Sequence, residues 1–230
     1  LAEYDAVLML DMDTLVLKPL DELIRSVVRD NISLAFTYDD SLDSAGSAAP
    51  PINGGFLLLR PNRRVYNDLL RIVRDGDFRQ GSGWGGSHIG WTWGGRTVQG
   101  LLSFYYNRHA APSASREIDS CRFNGMSEQR MEWPRGPAKY GNCSKLPVEE
   151  LHTVHFTRCQ KPWACHPGKE PQCAPLHDAW WRIRADLERG NGLPVTKACA
   201  PGAEYARLPA LINAWPRPAM GQEQERYAQL

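Results

Sequence analysis

No stretch of the 230 residues keeps the roughly 18–20 consecutive apolar residues that a membrane-crossing helix requires. No membrane contact is therefore expected from this segment itself. Lys and Arg number 27 against 26 Asp and Glu, a formal charge of +1. Without a basic or acidic run, no nucleic-acid partner is advertised. Repeats and heptads are absent, and no segment reads as a secretory leader. The chain nevertheless enters a strand within a few residues of Leu1, so a missing true amino terminus is expected, and with it any membrane anchor upstream.

Cysteine is missing from the first half. All six, Cys121, Cys143, Cys159, Cys165, Cys173 and Cys199, fall after residue 120, in loop-like sequence rich in Pro, Gly and Lys. Six thiols allow 15 disulfide pairings, and spacing does not choose among them. Disulfides would place the chain in the lumen of the secretory pathway, Golgi or endoplasmic reticulum, with the cytoplasm as the alternative if the thiols are free. A zinc site from Cys159, Cys165, His166 and Cys173 matches no familiar spacing. Two glycosylation sequons, Asn31-Ile32-Ser33 and Asn142-Cys143-Ser144, are compatible with a lumen.

A chain of this length buries one good core. The expected division is residues 1–190 as the domain, with 191–230, Pro-rich, as an extension wrapped on its surface. Ala6 to Leu10 is a continuous apolar run, as in a strand buried on both faces. Pro19 then opens a helix with Leu20, Leu23, Ile24, Val27 and Val28 on one side. Ile32 to Tyr38 and Gly55 to Leu59 read as strands, separated by a small-residue loop. Asn62 should cap a helix carrying Val65, Leu69, Ile72 and Val73. Gly81 to Gly95 holds too many glycines for a regular element; its tryptophans either stack on a sugar ring or fill a core. A helix with Val98, Leu101, Leu102 and Tyr105 follows, then a short strand at Val154 and Phe156, then a helix over His177–Arg189 stopped at Gly190. This order points to an α/β fold, a mixed, mostly parallel sheet flanked by helices.

The chemistry concentrates at two places. Asp11 and Asp13 stand where the first apolar strand runs out, and residues two apart on an extended segment point the same way. Adjacent carboxylates repel unless a cation lies between them, and hard Mg²⁺ or Mn²⁺ suits them while keeping positions open for phosphate oxygens. Strand carboxyl ends are where α/β sheets place ligands. A second pair, Asp75 and Asp77, lies at a helix end, where a solvated turn explains it. The other place is His155-Phe156-Thr157-Arg158-Cys159-Gln160-Lys161-Pro162-Trp163, which offers an imidazole and an ammonium. A carboxylate pair on an apolar strand also occurs in haloacid-dehalogenase-type phosphatases. Here Thr14 directly follows Asp13, and no later acidic pair is evident for their metal.

Four segments together resemble glycosyltransferase family 8, the family of glycogenin. Asp11 to Leu23 is similar to the Asp-X-Asp segment with its following helix. Pro51-Ile52-Asn53-Gly54-Gly55-Phe56-Leu57-Leu58-Leu59-Arg60-Pro61 resembles the Asn-Ser-Gly strand beside the donor sugar. Gly94-Gly95 with Gln99-Gly100-Leu101-Leu102 resembles the segment near the anomeric carbon, and Val154-His155-Phe156 with Lys161-Pro162-Trp163 resembles the His-Phe…Lys-Pro-Trp signature. The likeness spans Tyr4 to Trp163, and each motif supplies context for the others.

The resemblance implies a GT-A fold, Rossmann-like and N-terminally incomplete, since the strands that would hold the nucleotide base precede the Asp-X-Asp segment. The sheet should then end at an open apolar edge. It implies a retaining, metal-dependent transferase that moves a sugar from a nucleotide-sugar, UDP-linked, to a glycan or protein acceptor. Asp11, Asp13 and His155 would hold Mn²⁺ or Mg²⁺, and Lys161 the diphosphate. Asn53, Gly54 and Gly55 would let the backbone approach the sugar, their rival reading being a tight turn. Asp39, with Asp40 as second choice, would contact the sugar, and Gln99 would lie on its reacting face. The pattern breaks at Val98, where the family has Asp, and at Ser103, where it has Asn. A degenerate relative that binds glycans or a partner enzyme is the alternative these departures support.

Overall fold

A computed structural model describes residues 1–38, 51–89, 95–126, 143–165, 168, 170–196 and 199. The elements in order are β1 (Val7–Leu10), β2 (Thr14–Val16), α1 (Asp21–Arg29), β3 (Leu34–Tyr38), β4 (Ile52–Leu59), α2 (Arg63–Asp75), β5 (Phe78–Arg79), β6 (Gly83–Trp84), α3 (Val98–Arg108), β7 (Ser115–Ile118), β8 (Thr153–His155) and α4 (Cys173–Gly190).

The main sheet has four strands in the order β1-β4-β3-β7. The α/β class and the mixed sheet are as the sequence predicts, with a different balance of pairings. β1 and β3 both run antiparallel to β4, and the parallel pair among the described strands is β3 with β7. The alternation along β4 builds two cores. Phe56 and Leu58 face α1 with Leu20, Val27, Ala35 and Ile118, while Leu57 faces α2 and α3 with Leu34, Phe36, Leu102 and Tyr105. Period-two alternation on a pleated strand sends successive side chains to opposite faces, so helices cover both.

β1 is a correction. It is half-buried rather than buried on both faces, with Met9 exposed, because among the described strands it lies at one end of the sheet and pairs with β4 alone.

Helix ends follow local chemistry. Asn62 caps α2 by accepting from the amides of Arg64 and Val65 at 2.8 and 3.2 Å, and Gly76 ends it in the left-handed region, φ 62°. The carboxylates of Asp21 and Glu22 open α1 and Arg29 closes it, each complementing the helix dipole. Its end is a Schellman turn: the amide of Asn31, φ 56°, donates to Val28 O at 3.2 Å and that of Ile32 to Val27 O at 3.0 Å. α4 begins at Cys173, four residues before the expected His177. The Gly/Trp segment departs from expectation too: Gly83–Trp84 forms a two-residue strand with Phe78–Arg79. Gly90 to Gly94 lie outside the described residues.

A second, two-stranded sheet, β2 with β8, packs on α4 through Leu15, Val154, Phe156, Leu176 and Ala179. Fully burying a side chain such as Leu176 contributes about 1.5–3 kcal/mol. The disulfides are Cys121–Cys143, Cys159–Cys173 and Cys165–Cys199. They remove the zinc alternative, since its three cysteines are all bonded to sulfur. Such bonds persist in an oxidising compartment. No described helix is long and apolar enough to cross a membrane. Cys199 is tied to Cys165, but residues 200–230 lie outside the described part, so the expected extension is seen only where it leaves α4.

Candidate metal centre

Asp11 and Asp13 do not converge by strand alternation. β1 ends at Leu10, and the chain turns over Asp11–Thr14, closed by the Thr14 amide on Asp11 O at 3.0 Å, with Met12 thrown out to solvent. One side of this turn is tied to the main sheet, the Asp11 amide donating to Gly55 O at 3.1 Å. The other side enters β2, whose register pairs Thr14 with His155 of β8. The Phe156 amide donates to Asp13 O at 2.9 Å. The turn and the ladder, rather than an extended run, therefore bring the imidazole to the carboxylates.

His155 Nε2 lies 3.2 Å from Asp13 Oδ1 and 3.6 Å from Asp11 Oδ2. One ligand atom from each residue falls within 4.8 Å of the others. Side-chain exposure grades outward, 8% for His155, 20% for Asp13 and 50% for Asp11, so the cluster opens to solvent through Asp11. Lys161 donates to Asp13 Oδ2 and to Phe156 O. Burial raises the Asp13 carboxyl pKa, but the Lys161 hydrogen bond and the charges of His155 and Lys161 outweigh it, holding the group below its ordinary 3.8. Asp13 is thus a carboxylate at neutral pH.

Two adjacent glycines shape the wall. A Cβ on Gly55 would lie 2.6 Å from both Cε1 and Nδ1 of His155, so only glycine admits the ring. A Cβ on Gly54 would lie 2.8 Å from Gln99 Cγ, and the Gly54 amide donates to Gln99 Oε1 at 3.0 Å. These residues belong to β4, which removes the tight-turn reading. Gln99 is brought to Gly54 by α3, packed so closely that a Cβ on Gly100 would meet Gly95 O at 2.0 Å. Its Nε2 is buried and without a partner among the described residues. Asp39 and Asp40 lie outside the described residues. Trp84 is buried and donates to Gly95 O at 2.7 Å, so this tryptophan fills a core; Trp91 and Trp93 are outside the described part.

Two residues that position the site, Asn124 and His177, were not assigned that role from the sequence. Asn124 is fully buried in the left-handed region, φ 63°. Its Nδ2 donates to Asn53 Oδ1 at 2.9 Å and Thr37 Oγ1 at 3.0 Å, and its amide donates to Thr153 Oγ1 at 2.6 Å. Asn53 Oδ1 also accepts from the Gly55 amide at 2.8 Å, which turns Asn53 inward. Side chain and backbone amide of this one residue therefore join β3, β4 and β8 next to the His155 cradle. The second, His177 of α4, has Nε2 2.7 Å from Gln160 O, steadying the backbone just before Lys161. The only visible signal was the Asn124-Gly125 pair, which favours a left-handed turn.

Two carboxylates and an imidazole form a mixed oxygen and nitrogen donor set that suits Mn²⁺, with Mg²⁺ as the harder alternative. The glycine cradle holding the ring beside Asp13, and the opening through Asp11, fit such an ion.

No protein-family model matches the chain, and no curated protein matches it. Among solved structures, the galactosyltransferase LgtC in complex with donor and acceptor sugar analogues is similar at 17% identity and a TM-score of 0.44, covering 80% of this chain and 66% of that one. An active-site mutant of LgtC is similar at 15% identity and a TM-score of 0.47, covering 79% and 66%. The chain thus spans just under two thirds of the length of the structures it matches.

Proposed function

We propose that residues 1–190 are part of a metal-dependent glycosyltransferase of the GT-A type, with 191–230 as an extension. It would move a sugar from a nucleotide-sugar, UDP-linked, to a hydroxyl of a glycan or protein acceptor with retention of configuration. The observation that carries this reading is the meeting of Asp11, Asp13, His155 and Lys161, the last two brought from far along the chain; Lys161 and Asp13 are 148 residues apart in sequence.

Asp11, Asp13 and His155 would hold Mn²⁺ or Mg²⁺, whose charge would stabilise a departing diphosphate. The Lys161 ammonium, already poised at the carboxylate, would meet the same phosphate oxygens and offset charge as it develops. Gln99, whose buried amide nitrogen beside Gly54 has no partner among the described residues, would hydrogen-bond a sugar hydroxyl. Asn53 holds Gly55 in place rather than reaching outward. Asp39 or Asp40 would complete the sugar contacts. Luminal placement, in the Golgi or endoplasmic reticulum, agrees with the three disulfides.

The test is Mn²⁺-dependent hydrolysis of a UDP-sugar by a chain that includes whatever precedes Leu1. Asp13→Asn should abolish turnover and weaken Mn²⁺ binding; turnover equal to the parent would remove the centre of the reading. One observation favours a second reading, a glycan-binding relative without turnover. Val98, half exposed at the first residue of α3, stands next to Gln99 where the resemblance expects a carboxylate. Calorimetry of UDP separates the two: binding that requires Mn²⁺ supports the enzyme, and none supports the binding module.

A further inference from the structure

We infer that Asn31 is an N-glycosylation site, carrying an oligosaccharide at the end of the sheet away from the metal cluster. Three independent features of the fold converge on it. The three disulfides fit an oxidising lumen, the compartment in which such glycans are added. Asn31 is exposed at the C′ position of α1 in the left-handed conformation, a place asparagine fills at little cost. The branched Ile32 between it and Ser33 is buried against the α1 core, so the asparagine is the residue of the sequon turned to solvent.

The side chain is also oriented for the modification. Its Oδ1 accepts from Arg60, which leaves the Nδ2 that would bear the sugar free of that bond. An N-linked amide keeps its carbonyl, so the Arg60 contact survives glycosylation.

Position makes the glycan compatible with a working site. β3 and β4 are antiparallel, with Leu34 opposite Leu59 and Tyr38 opposite Ile52. Asn31 and Arg60 therefore lie beyond one end of this pair, while Asn53, Gly54 and Gly55 lie at the other. A sugar at Asn31 projects from the end opposite the cluster.

The chemistry is transfer from a lipid-diphosphate oligosaccharide by the host lumen's oligosaccharide-transferring enzyme. Asn31 Nδ2 bonds to the sugar C1, the C1–O bond to the diphosphate breaks with its electron pair leaving on that oxygen, and the one proton that Nδ2 gives up passes to solvent or the released lipid diphosphate. The hydroxyl of Ser33 recognises the enzyme before folding; once folded, it pairs with Tyr106 OH at 2.9 Å.

The experiment is to pass the chain through the endoplasmic reticulum of cultured animal cells behind a cleavable leader. The whole translocated pool, retained or secreted, is treated with peptide N-glycosidase in heavy-oxygen water and mapped by peptide mass. Isotope-labelled conversion of Asn31 to Asp, lost in Ser33→Ala and retained in Ser33→Thr, is expected. An unlabelled Asn31 peptide in translocated protein overturns the inference, as does labelling that persists in Ser33→Ala. The second sequon, at Asn142, yields its own peptide, whose labelling has no bearing on Asn31. The metal reading plays no part, so the two stand or fall separately.

Discussion

Replacing Gly55 by alanine tests whether the imidazole sits where a ligand must. The new Cβ would lie 2.6 Å from ring atoms of His155, whereas carbon atoms settle near ~3.5 Å, so ring or strand must move by about 0.9 Å. Metal–ligand distances tolerate departures of about 0.2 Å. His155 would then be a poor ligand, and Mn²⁺ affinity should fall about 10–100-fold, the size seen when a ligand loses its support. That corresponds to about 1.4–2.8 kcal/mol. Gly54→Ala is the control. It meets the side chain of Gln99, nearest at Cγ, and faces the other side of β4 from His155, so Mn²⁺ affinity should stay unchanged. Loss of the free-ion Mn²⁺ resonance on titration reports binding, and thermal unfolding shows whether each variant is folded. A folded Gly55→Ala chain that binds Mn²⁺ as the parent does would refute the placement of His155 as a ligand.

Three further outcomes follow from the same geometry. Lys161→Met removes a cation that competes for Asp13, so Mn²⁺ alone should bind more tightly while UDP with Mn²⁺ binds more weakly; calorimetry showing both changes in one direction would contradict this. Asn124→Gly keeps the left-handed backbone but loses two side-chain hydrogen bonds, costing about 1–3 kcal/mol. Asn124→Ala, strained as well, should melt lower still, and the reverse order in thermal denaturation would dismiss the hub. Glu188 is held at about 2, from an ordinary 4.5, by the Thr196 amide, the Arg184 side chain and the Thr196 hydroxyl. A depressed carboxyl contributes stability in full above its unfolded value and loses it as pH falls through the folded one. Protection of the Thr196 amide from hydrogen exchange should therefore persist at pH 5, fade toward pH 2, and be missing at both in Glu188→Ala, which leaves no acceptor for that amide.

Helices α1 and α2 were legible because their signals are local. The apolar residues at helical spacing, the Asn62 cap and the Gly76 stop each act within a few residues. The start of α4 was misjudged because Cys173 is held in the core by its bond to Cys159, a distant constraint that spacing does not carry. The strands carried by apolar runs, β1, β3, β4 and β8, were found; the short β2, β5, β6 and β7 lack such runs and were not, and strand directions stayed open, since an apolar run fits a parallel or an antiparallel neighbour equally well.

For the site, residue types alone pointed to a cation at the paired carboxylates, which require a counter-charge, whereas the diphosphate role of Lys161 came only from the family resemblance. How they meet belongs to the tertiary structure. The register of Thr14 against His155 is set by hydrogen bonds between segments about 140 residues apart in the chain, and the Asp11 amide on Gly55 O, the three disulfides and the buried Asn124 side chain likewise join segments that local sequence does not pair. Helix signals are written in consecutive residues, whereas pairing depends on which strands the packed core leaves adjacent. Only the folded chain settles that.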